Sequence, residues 1–131
     1  MIVVDASAFI AILDEERDAE RYAEAIAEAD PPLVSAATVV EAGIVLFNRH
    51  GAGGSRKLNA LIQEAGFQVE SVTAQHAQIA LQAYASYGKG QHTAAGLNYG
   101  DCFSYALAKA TGLPLLFKGR DFSETDIRSV L

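Results

Sequence analysis

The chain is poor in residues that staple, kink or anchor a protein. Its one cysteine, Cys102, cannot form an internal disulfide, so the fold must hold by packing, as suits a reducing compartment. Three prolines, no tryptophan and a fifth of the residues charged exclude collagen-like and mostly disordered chains. The three histidines show no HxxxH-type spacing, which removes a zinc hydrolase. No apolar run approaches the roughly 18 residues of a membrane span. The start, MIVVD, lacks the basic region of a signal peptide and meets Asp5 after four residues, so a soluble cytoplasmic protein is expected. Basic residues are also scarce, 10 Lys and Arg against 16 Asp and Glu, a net charge of -6. That balance ordinarily argues against a nucleic-acid partner, because phosphate binding draws its affinity from basic side chains. The argument fails if acids are metal ligands, since a carboxylate cluster holding divalent cations presents a positive site to a phosphate.

What the chain has in plenty is apolar surface. Half of its 131 residues are hydrophobic, enough for one core, and a single domain over 1–131 is expected. Short apolar segments alternate with longer helical ones, the pattern of a parallel sheet covered by helices. Strands are expected at Ile2 to Asp5, Leu33 to Ser35, Phe67 to Val72 and Leu115 to Phe117, with the tail as a possible fifth. Helices are expected from a Ser7 cap through Leu13, from about Asp18 to Ala29, and after Ser35 through Arg49. Further helices are expected from about Ser55 to Glu64, from Thr73 to Tyr87, and from Asn98 to about Ala110. Gly51, Gly53 and Gly54 read as a loop, as does GKGQHTAAGLN from Gly88 to Asn98.

In an open parallel sheet ligands bind outside the carboxyl ends of the strands, so acids there are questioned first. Asp5 ends the run IVV, where it can face the crevice or cap the next helix. Glu41 interrupts AATVVEAGIVLF, and a carboxylate among apolar neighbours needs a partner, a metal or solvent. It lines a cleft, or it lies on a narrow solvated stripe with Ala37, Thr38 and Val45. Asp101 follows Asn98 by three residues, a capping-box spacing, and gains about 0.3 to 1 kcal/mol from the helix dipole as an anion. Asp121 and Asp126 follow the fourth strand in GRDFSETDI, a polar turn. Two ionised carboxylates about 4 Å apart repel by about 4 kcal/mol at a dielectric near 20, so four together call for a cation. An all-oxygen set suits Mg²⁺ or Mn²⁺ rather than zinc.

MIVVDASAFIAIL, SAATVVEAGIVL, HTAAGLNYGDCFSYALAKATGLPLLF and KGRDFSETDI together resemble the PIN-domain ribonucleases, in particular the VapC toxins of VapBC toxin–antitoxin pairs. The resemblance covers nearly the whole chain. It implies a three-layer α/β fold with a central, mostly parallel sheet of four or five strands flanked by helices. It implies that Asp5, Glu41, Asp101 and Asp121 ligate Mg²⁺ or Mn²⁺ and carry RNA hydrolysis, with Ser7 and Asp126 as auxiliary residues. The ions would polarise a scissile phosphate and acidify a water for in-line attack, leaving 5′-phosphate and 3′-hydroxyl ends. It also implies a homodimer and a cognate antitoxin, whose Arg or Lys an acidic groove would attract.

RNA contacts are expected from among Lys89, His92, Arg49, Arg56, Lys57, Lys118 and Arg120, which read as lying in or beside loops; His92, Lys89 and Arg120 are the foremost. Cys102 reads as a small buried hydrophobe rather than a nucleophile. A haloacid-dehalogenase-type phosphatase would want a second Asp where Ser7 stands, and is set aside. The alternative is a catalytically silent PIN-like module that binds RNA or protein.

Overall fold

The computed structural model describes residues 1–131. Four strands, β1 (Ile2–Val4), β2 (Pro32–Ser35), β3 (Gln68–Glu70) and β4 (Leu115–Leu116), form one sheet in the order β3-β2-β1-β4, parallel throughout. β1, β2 and β4 are buried on both faces, so each reads as a continuous apolar run rather than an alternation. The period of two still assigns their side chains to separate cores. Ile2, Val4, Val34 and Leu116 join Phe9, Tyr22, Ile26, Leu46 and Leu58 on one face. Val3, Leu33 and Leu115 join Leu97, Tyr105, Leu107 and Phe122 on the other.

Six helices fill the outer layers: α1 (Ala6–Leu13), α2 (Ala19–Glu28), α3 (Ala36–His50), α4 (Ala52–Glu64), α5 (Ala74–Tyr87) and α6 (Tyr99–Thr111). Ser35, Thr73 and Asn98 cap α3, α5 and α6 through their side chains. The three-layer α/β architecture expected from the sequence is present, and no helix is long and apolar enough to cross a membrane.

The structure corrects several expectations. No fifth strand forms; the tail makes only a bridge from Ser129 to Leu115. α1 is capped by Asp5, whose carboxylate accepts the Ser7 N–H at 3.0 Å, and Ser7 lies inside the helix. Of the three glycines expected in a loop only Gly51 turns the chain; Gly53 and Gly54 lie in α4. A side chain at Gly54 would collide with the Leu46 carbonyl oxygen, so glycine there permits close packing of α4 on α3. The solvated stripe on α3 is also excluded, because Thr38 is buried; the exposed side of α3 carries Val40, Ile44 and Phe47.

From β1 the chain runs outward to β2 and β3, then returns to place β4 on the other side of β1. The reversal makes a switch point between β1 and β4, and the crevice beyond their carboxyl ends is where such a fold takes a ligand. Asp5 and the turn after β4 flank it.

Candidate active site

Asp5 leaves β1 and is almost wholly buried, 2% exposed. Its Oδ2 accepts from the Ser7 N–H at 3.0 Å and the Ser7 hydroxyl at 2.7 Å, and its Oδ1 accepts from the Ser104 hydroxyl at 2.6 Å. Ser7 Oγ in turn accepts the Lys118 N–H at 3.0 Å, which ties the turn after β4 to the end of β1. The short apolar strand thus delivers a carboxylate to the crevice, and the following turns hold it there.

Asp101 stands in the first turn of α6. Its Oδ2 accepts the Asn98 N–H at 3.0 Å while Asn98 Oδ1 accepts its own N–H at 2.8 Å, a reciprocal capping box. Burial pushes its pKa up to about 8 against the lowering effect of the Asn98 N–H, and the Asp5 and Asp121 carboxylates add to the rise. Asp121 is exposed on the turn after β4, close enough to hydrogen-bond Asp101. The Asp121 carbonyl accepts the Gly96 N–H at 3.4 Å, bringing the 88–98 loop to the same edge.

Glu41 reaches the group from α3. Burial, with the Asp5 charge behind it, pushes its pKa up to about 7, and its Oε1 is buried with no hydrogen-bond partner. The carboxylate lies against the first turn of α6 at Gly100. A Cβ there would come no farther than 2.7 Å from any of Cδ, Oε1 and Oε2 of Glu41. Gly100 therefore belongs to the site, although sequence reasoning passed over it. The available signal was a residue without a side chain between a helix cap and a candidate ligand.

Asp5, Glu41, Asp101 and Asp121 thus come from four segments to one crevice, with the Asp5 charge acting on Glu41 and Asp101, and Asp121 on Asp101. No three of the chain's His, Cys, Asp and Glu side chains stand close enough to make a ready ligand group. Asp126 is not brought into the set: its carboxylate accepts from the Tyr105 hydroxyl at 2.5 Å and the Lys109 ammonium at 2.6 Å, pinning the tail to α6. Ser7 is brought to the site, directly on Asp5.

The basic residues divide. Lys118 pairs with Glu16 at 2.5 Å and Asp18 at 2.8 Å, and Arg49 pairs with Asp14, so neither side chain is idle. Arg49, Arg56 and Lys57 do not stand beside a loop: they lie within α3 and α4, which only Gly51 separates. Lys89 and His92 occupy the exposed 88–98 loop, with His92 in left-handed backbone at φ +56°, and Arg120 is exposed beside Asp121. Cys102 is buried and donates to the Asn98 carbonyl oxygen at 3.2 Å, and burial pushes its thiol up to about 11, the behaviour of a packing residue. Beside α6 an open groove of about 850 Å³, lined mainly by apolar side chains including Leu81, Tyr84, Tyr99 and Phe103, runs between α5 and α6.

Comparison with known proteins follows this geometry. The sequence profile of the PIN domain matches residues 2–128. The chain belongs to the PIN-domain family. Ribonuclease VapC28 of Mycobacterium tuberculosis is 50% identical over 130 residues, covering 99% of this chain and 98% of that one. Ribonuclease VapC of Mycolicibacterium smegmatis is 47% identical over 129 residues, covering 98% and 99%. Among solved structures, VapC20 of M. tuberculosis, described as a sarcin–ricin-loop-cleaving toxin, superposes with a TM-score of 0.80 at 21% identity. It covers 99% of this chain and 98% of its own. A toxin–antitoxin complex from Klebsiella pneumoniae superposes at 0.73 with 16% identity, covering 96% and 93%. These two likenesses are of fold. The sequence relatives place this PIN domain among the VapC ribonucleases.

The raised acids make a prediction for the metal-free protein. Glu41 and Asp101 bind protons more tightly folded than unfolded, so the stability they confer is full at low pH and is lost as pH rises through about 7 and 8. Asp14, lowered first by its hydrogen bond from His50, and Asp18, lowered first by that from Lys118, act oppositely, but only in the acid range. Between pH 5.5 and 9 the melting temperature of metal-free protein should therefore fall by several degrees. A flat or rising profile would mean that burial and the Asp5 charge do not hold protons on these two carboxyls.

Proposed function

We propose that this VapC-family PIN domain is the endoribonuclease toxin of a type II toxin–antitoxin pair, hydrolysing RNA at a Mg²⁺- or Mn²⁺-binding carboxylate site. The observation that carries the reading is the buried group itself. Glu41 Oε1 has no partner, and Glu41 and Asp101 are both driven toward protonation by burial and by the Asp5 charge. Such an arrangement is costly for folding and makes sense as a cation's ligand set.

The donors fit the group. All are oxygens, as Mg²⁺ prefers, and carboxylates set apart leave room for a cation that keeps several of its waters between itself and the protein. Asp5, Glu41, Asp101 and Asp121 would hold it. When bound, it supplies neutralisation of the phosphate charge and acidification of water. The protein supplies the rest. Ser7 fixes the Asp5 carboxylate, the Asn98 cap fixes Asp101, and Gly100 leaves the space that Glu41 fills. Lys89, His92 and Arg120, on loops at the same edge, would hold RNA phosphates.

The partners follow from the surface chemistry. An antitoxin that offers Arg to the acidic crevice would satisfy these carboxylates bidentately in place of a cation. A homodimer would cover large apolar side chains left exposed, Val40, Ile44 and Phe47 on α3 among them. The whole chain acts as one catalytic domain in the cytoplasm.

The test is cleavage of a total RNA pool by metal-stripped protein, with and without Mg²⁺ or Mn²⁺. Cleavage only with metal, leaving 5′-phosphate ends, is expected. Protein that binds RNA but stays inert with either ion is instead a silent binding module. Cleavage that persists in chelator, with 2′,3′-cyclic phosphate ends, contradicts the metal site.

A further inference from the structure

Three of the proposed ligands come from elements that also meet through hydroxyls. Thr38 stands three residues before Glu41 on α3, and Ser104 stands three after Asp101 on α6. Each is therefore one helical turn from its acid, on the same side of its helix. Both are buried, Thr38 at 1% and Ser104 at 0% exposed, and their oxygens are 3.1 Å apart. Ser104 donates to Asp5 Oδ1 at 2.6 Å. An ionised carboxylate only accepts, so Ser104 spends its single proton on Asp5, and Thr38 must donate to Ser104. The hydrogen bonds run one way, from α3 through α6 to the end of β1.

We infer that Ser104, backed by Thr38, is a positioning residue that sets the Asp5 carboxylate for the divalent cation. Ser7 binds Asp5 from two residues away and reaches the turn that carries Asp121 through the Lys118 N–H, but it makes no tie to the helices that carry Glu41 and Asp101. Ser104 ties the Asp5 carboxylate to α6, which carries Asp101, and through Thr38 to α3, which carries Glu41. Of the roughly four lone-pair positions of a carboxylate, Ser7 and Ser104 fill three, which leaves one on Oδ1 for a cation. Removing the Ser104 hydroxyl lets Oδ1 swing about the Oδ2 that Ser7 holds and leaves Thr38 without its acceptor. This inference rests on the cation reading above and deepens it.

The test is Mn²⁺ titration of metal-stripped protein, followed by the electron paramagnetic resonance signal of free Mn²⁺. The unsubstituted chain is compared with Ser104→Ala, Thr38→Val and the double variant. Ser104→Ala should weaken Mn²⁺ binding by about tenfold or more, as expected when a group that orients a metal ligand is lost. Thr38→Val keeps shape and removes one hydrogen bond a step farther out, so about threefold is expected. Because Thr38 acts through Ser104, the double variant should bind no more weakly than Ser104→Ala alone. In cleavage assays the Mn²⁺ concentration for half-maximal rate should rise in step, with KM for RNA unchanged. Ser104→Ala binding within twofold of the unsubstituted chain, or losses that multiply in the double variant, overturns the inference while the cation reading stands. If Ser104→Ala does not fold, Thr38→Val decides alone, unchanged affinity being the adverse result. If the unsubstituted chain takes up no Mn²⁺, the cation reading falls and this inference falls with it.

Discussion

Gly100→Ala should abolish RNA cleavage while leaving the protein folded. The added methyl group would occupy space now held by the Glu41 carboxylate, within 2.7 Å of all three of its terminal atoms. The carboxylate ends a flexible side chain and can swing away, so the fold loses little, and alanine favours the helix by up to about 1 kcal/mol over glycine. The site loses much more. A displacement of about 1 Å in a catalytic group costs on the order of a hundredfold in rate, and this one must exceed that. Cleavage should fall by at least about a hundredfold with the melting temperature unchanged or higher. A variant that melts normally and cuts within tenfold of the unsubstituted chain would show that Glu41 is not needed where it stands.

Asp101→Asn should produce a comparable loss for a different reason. The asparagine carbonyl can still accept the Asn98 N–H, so the capping box survives and α6 keeps its start. What disappears is a negative charge beside Asp5 and Asp121. Cleavage should drop by at least about a hundredfold, the loss typical when one group that stabilises developing charge is removed. Above pH 8, where the acid would otherwise ionise, the metal-free variant should melt higher than the unsubstituted chain, because no charge is buried there and the repulsion from Asp5 and Asp121 is gone. Asp101→Ala separates the two roles, since it also forfeits the bond from the Asn98 N–H, while Asn98 still caps the helix, and should cost about 1 kcal/mol of stability. If Asp101→Asn is less stable than the unsubstituted chain at pH 9, the Asp101 charge stabilises the fold and the acid is not a strained ligand.

The two variants also mark how far the sequence could be read. The run IVV followed by Asp5 announces a buried strand ending in an acid, and Asn98 followed by Asp101 announces a helix start, because both signals are local. Glu41 was suspicious for its apolar surroundings, but whether it faced a cleft or solvent depended on where α6 crosses α3. That crossing is set by packing and by Gly100, and it leaves no periodic trace. The glycines of 51–54 misled for the same reason: two of them lie within α4, and one of those, Gly54, serves a close helix contact rather than a turn. Lys118 and Asp126 looked available for RNA and metal, yet each finds partners a long way off in sequence, Glu16 and Asp18 for one, Tyr105 and Lys109 for the other. The hydroxyls of Thr38 and Ser104 sit one turn from recognised acids, and that spacing was the one clue to them.

The most direct test of the account is calorimetric titration of the metal-stripped protein with Mn²⁺ at pH 6.5, below both raised values, beside Asp101→Asn and Glu41→Gln. The account predicts saturable uptake by the unsubstituted chain, proton release on binding as Glu41 and Asp101 give up the protons that burial lets them keep, and loss of that uptake in both variants. Uptake that survives both substitutions undiminished, or none by the unsubstituted protein, would contradict it.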